Sequence, residues 1–81
     1  MQNNKNTFST DKFQLAAYLL AESCKLVTFD RSDPKRVIFI FEESPERQSL
    51  SEKFISYGAK VEPHRYFSAQ KDLKQMIYQQ K

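Results

Sequence analysis

The longest apolar run in the chain is Phe13 to Ala21, Phe-Gln-Leu-Ala-Ala-Tyr-Leu-Leu-Ala. Phe13, Ala16, Ala17 and Leu20 recur at the i, i+3, i+4, i+7 spacing of one helix face. Leu15 and Leu19 fall on roughly the opposite side, with Tyr18 between them. A helix that is apolar nearly all round is buried on more than one side, yet this run is too short to span a bilayer. Ser9 and Thr10 precede it and are expected to cap its first amides, with Asp11 at the positive end of the helix dipole. Thr7-Phe8-Ser9 reads as a very short strand leading in, and the helix is expected to end near Ser23.

The period then changes from helical to alternating. Lys25–Asp30 alternates weakly, Leu26 against Val27 and Phe29. Arg31–Lys35 is a turn, in which Asp33 and Pro34 favour local reversal. Arg36–Glu42 is the clearest strand: Val37, Phe39 and Phe41 point one way, Ile38 and Ile40 the other. The two runs predict an antiparallel hairpin. Its second strand is apolar on both faces and calls for cover on both, a first sign of a homo-oligomer.

Ser44-Pro45 marks a helix start, a capping hydroxyl followed by proline at the first helical position, and Glu46 suits the dipole. Leu50, Phe54 and Tyr57 form a narrow stripe, with Ile55 to one side. Gly58, the sole glycine, falls where a left-handed residue would end this helix, so Gly58→Val is expected to strain the backbone. Ala59–Glu62 is an extended link that could hold a further strand through Val61. From Pro63 to about Gln79 the pattern is helical again, with Tyr66, Ala69, Leu73, Met76 and Ile77 on one stripe; a second start capped by Ser68 is the alternative. The expected fold is α+β: short strand, helix, antiparallel hairpin, helix, C-terminal helix.

Eighty-one residues make one small domain, with 1–6 expected as a polar, flexible tail. Cys24 is the only cysteine, so no internal disulfide supports the fold, and a reducing, cytoplasmic setting is expected. The chain opens without a signal-like stretch and no membrane partner is expected. A net charge of +3 permits nucleic-acid binding without demanding it. Seven Phe and four Tyr are many for this length, and serve either a dense core or an aromatic binding surface.

Several stretches carry a resemblance: Phe8-Ser9-Thr10-Asp11, Leu15-Ala16-Ala17-Tyr18-Leu19, Val37-Ile38-Phe39-Ile40-Phe41, Tyr57-x-x-x-Val61-x-Pro63, and Tyr66-Phe67 with Leu73-Lys74-x-x-Ile77-Tyr78. In these the chain resembles a family of small uncharacterised domains encoded by bacteria and their phages. The resemblance spans nearly the whole chain and rests mostly on core and turn positions. It implies a compact α+β fold and a bacterial, phage or mobile-element origin. It transfers no catalytic or binding residue.

Catalytic chemistry finds little to work with. His64 is the only histidine and reads as an exposed residue at a helix start; Cys24 reads as a small buried apolar residue. Glu42, Glu43 and Glu46 cluster between strand and helix, where they complement the dipole more readily than they hold a cation. One glycine cannot make a phosphate loop. No enzyme activity, cofactor or metal is expected. The informative pattern lies on the last helix, where His64, Phe67, Lys71, Lys74 and Tyr78 share a face distinct from the apolar stripe. Arg31, Lys35 and Arg36 form a second basic spot at the hairpin turn, offset by Asp30 and Asp33. The expected function is a non-catalytic interaction module that pairs with itself as a dimer or with another protein, the outer face of the last helix forming the interface. The alternative is nucleic-acid binding by that same face and the hairpin tip, since lysines neutralise phosphates while rings stack bases.

Overall fold

The computed structural model describes residues 6–79. Its elements are β1 (Thr7–Thr10), α1 (Phe13–Ala21), β2 (Leu26–Asp30), β3 (Ile38–Glu42), α2 (Pro45–Ile55) and α3 (Pro63–Gln79). This is the expected α+β arrangement. The three strands form one antiparallel sheet in the order β1-β3-β2. The strand richest in apolar residues takes the centre, where both of its edges are paired. Phe39 and Phe41 are buried on one face, while Ile38 and Ile40 on the other are only half-buried. The molecule is 19 Å across its shortest axis, the thickness of one helix layer on one sheet. Leu19, Phe41 and Leu73, from α1, β3 and α3, are the largest fully buried side chains.

The edges of these elements depart from the expected ones for local reasons. β3 begins at Ile38 rather than Arg36, because Arg36 belongs to the turn: its amide donates to the Asp33 carbonyl (3.2 Å) and its guanidinium to Asp11 (3.1 Å). Asp11, directly before the Lys12 cap, therefore ties the hairpin turn to the start of α1. The cap of α1 is Lys12, without a side-chain bond to the helix amides; Thr10 Oγ1 accepts from the Lys12 amide instead (3.1 Å). In β2 the expected alternation fails, since a bulge between Leu26 and Thr28 breaks the register with β3 and both Leu26 and Phe29 pack on the core. Of the tail expected over 1–6, residues 1–5 lie outside the described residues, and the Asn6 carbonyl accepts from the Glu43 amide (2.8 Å). Residues 59–62 form no strand; Ala59 and Val61 pack on the core from an extended link. α3 is one continuous helix with no second start at Ser68.

The ends of α1 and α2 share a device. Cys24 N–H donates to the Leu19 carbonyl (2.9 Å) and Ser23 N–H to Leu20 (3.0 Å); Gly58 N–H donates to Lys53 (2.7 Å) and Tyr57 N–H to Phe54 (3.3 Å). These are two Schellman closures, and each requires a left-handed residue at the position after the cap. That residue is Ser23 (φ 73°) in α1 and Tyr57 (φ 63°) in α2. The expectation for Gly58 is thus corrected: the helix closes one residue earlier, Gly58 has no positive φ, and an added Cβ would meet its nearest atoms at an ordinary 3.7 Å. Tyr57 consequently leaves the α2 stripe and is 97% exposed. A non-glycine residue held left-handed costs about 1 kcal/mol, part of which glycine returns through its freer unfolded chain. Tyr57→Gly is therefore expected to raise stability by about 0.5 kcal/mol, read as a higher urea midpoint. A lowered midpoint would show that the Tyr57 ring stabilises the fold.

Candidate interaction surface

α3 is fixed at its start by Glu62. Its Oε1 accepts from the Arg65 amide (2.9 Å), its carbonyl from Tyr66 (3.1 Å), and Pro63 fills the first helical position. The Arg65 amide, followed by His64, holds the Glu62 carboxyl below its usual range. His64 Nδ1 lies 3.1 Å from the other Glu62 oxygen, so this ring is engaged at the helix start. Arg65 reaches back to the Ala21 carbonyl and ties the start of α3 to the end of α1.

From that anchor the helical period sorts the side chains. Ala69 and Leu73 are buried, and Tyr66, Met76 and Ile77 are half-buried against α1 and the sheet. The other face carries the strip expected from the sequence, and the structure leaves all of it in solvent. Phe67 is 62% exposed and Tyr78 75%; His64, Lys71 and Lys74 are exposed as well. Lys71 Nζ lies 6.0 Å from the Phe67 ring centroid. Lys74 Nζ lies 5.8 Å from the ring of Phe13, which carries the strip across onto α1. Each ammonium lies at the outer reach of a cation–π contact with a ring, so the strip alternates positive charge with aromatic surface.

The second basic spot is divided by the structure. Arg31 Nη1 donates to the Ile77 carbonyl (2.6 Å), which brings one end of the hairpin turn beside the Tyr78 end of the strip. Arg36 is engaged by Asp11 and lies 4.0 Å from Asp33. Lys35 is exposed in the turn, where its amide donates to Asp33 Oδ1 (2.8 Å).

The acidic cluster is resolved in a way the sequence reading missed. Glu43 does not gather with Glu42 and Glu46 but takes Arg47 as a fork: Nε to Oε1 and Nη2 to Oε2, both 2.6 Å. Arg47 also donates to Ser51 Oγ (2.9 Å), and its guanidinium lies 3.7 Å above the Phe8 ring. Arg47 is only 8% exposed. The Arg47 hydrogen bonds hold Glu43 far below its usual range, at about 2. The Glu43, Arg47, Ser51 spacing is a legible i, i+4 ladder; its burial under β1 was not. Among the described residues no three His, Cys, Asp or Glu side chains gather to hold a metal ion. Cys24 is half-buried, and burial pushes its thiol up, away from a reactive thiolate. No helix among the described residues is long and apolar enough to cross a membrane.

A family model described as a domain of unknown function, DUF5659, matches residues 5–79. The chain belongs to that family. No curated protein and no solved structure matches it. The family description assigns no activity, so function in this DUF5659 domain is read from the surface just described.

Proposed function

We propose that the domain is a non-catalytic interaction module whose recognition element is the outer face of α3. The observation that carries this reading is the exposure of Phe67 and Tyr78 on one strip with Lys71 and Lys74 between them. Large aromatics left in water on a stable helix mark a partner site. Phe67 and Tyr78 are about 16 Å apart along the axis at 1.5 Å per residue. That span suits a helix laid in a groove, with rings as anchors and lysines meeting acidic groups on its rim. The partner is a protein with an apolar groove and an acidic border.

Phe67→Glu/Tyr78→Glu tests this reading without touching the core. A partner captured from the native host with the wild type, then purified, is expected to bind the double variant at least tenfold more weakly, while thermal melting is unchanged. Equal affinity for both forms overturns the assignment. Nucleic acid is the second reading, favoured by the alternation of cations and rings and by Arg31 beside the same helix end. Phosphate contacts make affinity fall steeply with salt. Anisotropy titrations with generic DNA and RNA oligonucleotides over a salt series separate the two readings: a steep slope supports nucleic acid, and absent binding at low salt removes it.

A further inference from the structure

β2 has a neighbour on one side only, because the sheet order is β1-β3-β2. Lys25, which precedes the strand and whose carbonyl accepts from the Glu42 amide of β3, is exposed; along the strand Leu26 is half-buried, Val27 and Thr28 exposed, Phe29 half-buried and Asp30 exposed. That sequence of environments reads the same from either end. The bulge produces it: with strict alternation Leu26 and Phe29 would face opposite ways, whereas here both pack on the core. Antiparallel pairing of the strand with its own copy, about an axis between Val27 and Thr28, matches Lys25 with Asp30, Leu26 with Phe29 and Val27 with Thr28. Directly opposed residues in an antiparallel pair must share a face: Leu26 and Phe29 both pack on the core, and the other four residues are all exposed. Both ends of the pairing then join a lysine to an aspartate.

We propose that the domain forms a two-fold dimer through the β2 edges, in this register, so that the three strands of each copy continue into one sheet. The inference rests on the reading of the domain as an interaction module. It supplies the seam between copies and leaves the α3 face of each copy to another protein.

The local chemistry fits a second copy. Val27 is 52% exposed on the open edge. Beside it runs a groove of about 580 Å³, lined by Leu20, Cys24, Leu26, Phe29 and Met76 among others. Lys25 makes no ion pair among the described residues. Asp30 engages Ser32 through Oδ1 alone, by the amide (2.8 Å) and the hydroxyl (2.6 Å). A lysine on an edge strand normally discourages pairing; here the register supplies its counter-charge. The other edge, β1, is Thr-Phe-Ser-Thr and offers no charge to set a register.

Sedimentation velocity at micromolar concentration tests the seam. The wild type is expected to be a dimer. Lys25→Asp alone and Asp30→Lys alone each place like charges at both ends, weakening association by about tenfold or more. Mixing these two variants is expected to restore the dimer, since each end of the mixed pair again joins opposite charges; restoration also proves both variants folded. Phe67→Glu/Tyr78→Glu is expected to dimerise as the wild type does. A monomeric wild type, charge reversals without effect, or a mixture no tighter than its components overturns the proposal. Loss of the dimer in the α3 double variant moves the seam to α3: it overturns this inference while leaving the α3 reading standing. Failure of the α3 reading shows instead in the partner titration.

Discussion

Leu19→Asp is expected to abolish folding, read as loss of the cooperative thermal transition and collapse of amide NMR dispersion. Leu19 is fully buried, in one cluster with Phe41 and Leu73. Truncation to alanine there would cost about 3 kcal/mol through lost burial and the cavity left behind. An aspartate adds the cost of a carboxylate without a partner, or of the protonation that avoids it, a further several kcal/mol. Domains this small sit at the low end of the usual stability range of roughly 5–15 kcal/mol. The combined penalty therefore exceeds what the fold holds in reserve. Leu15→Asp, also in the buried cluster, is expected to behave alike. A folded Leu19→Asp domain with a wild-type melting temperature would place the core elsewhere.

Arg47→Ala is expected to cost about 2–3 kcal/mol, far more than the 0–1 kcal/mol of an exposed ion pair. The guanidinium is deeply covered, makes a fork with Glu43, satisfies Ser51 and lies on Phe8. Its removal exposes the Phe8 ring and strands the Glu43 carboxylate. Arg47→Lys keeps the charge but loses the planar fork, and should recover only part of the stability. The pair also sets an acid limit. Glu43 titrates at about 2 in the folded state, against 4.5 ordinarily. A carboxyl whose folded value is depressed stabilises the fold fully above its unfolded value and loses that contribution as pH falls toward the folded one. The window here is from about pH 4.5 down to about pH 2. Allowing for the part of Glu43 that remains in water, the contribution is about 2 kcal/mol. The stability gap between wild type and Arg47→Ala should therefore narrow between pH 6 and pH 2.5. A gap independent of pH would assign the loss to the stacking on Phe8 and the bond to Ser51 rather than to the pair with Glu43.

What the sequence made legible followed from local chemistry. The apolar run of α1, the alternation of Phe39 and Phe41 against Ile38 and Ile40, the Ser44-Pro45 start and the α3 stripe are all set within a few residues of themselves. The misplaced features depend on partners distant in sequence. Nothing in Leu26–Asp30 announces a bulge, because a bulge exists only relative to the strand opposite. The i, i+4 spacing of Glu43 and Arg47 is that of a surface pair; only Phe8, arriving from β1, makes it a buried one. The closure of α2 passed over the glycine because the backbone bonds, not residue preference, decided where the left-handed position fell. The α3 strip stood between these cases. Periodicity put Phe67, Lys71, Lys74 and Tyr78 on one face, but whether that face met solvent or the hairpin depended on how α3 docks on α1.

The position of β1 orders events in folding. β2 and β3 are joined by a short turn, and a hairpin of this kind closes in about 1–10 μs. β1 reaches β3 only across α1 and β2 in the chain, a far longer loop than the turn that joins β2 to β3. Because closing the longer loop costs more entropy, β1 is expected to join the sheet after the hairpin has formed. The Phe8 side chain beneath Arg47 is then expected to act as a latch on the finished structure, so that Phe8→Ala speeds opening more than it slows formation in stopped-flow folding traces.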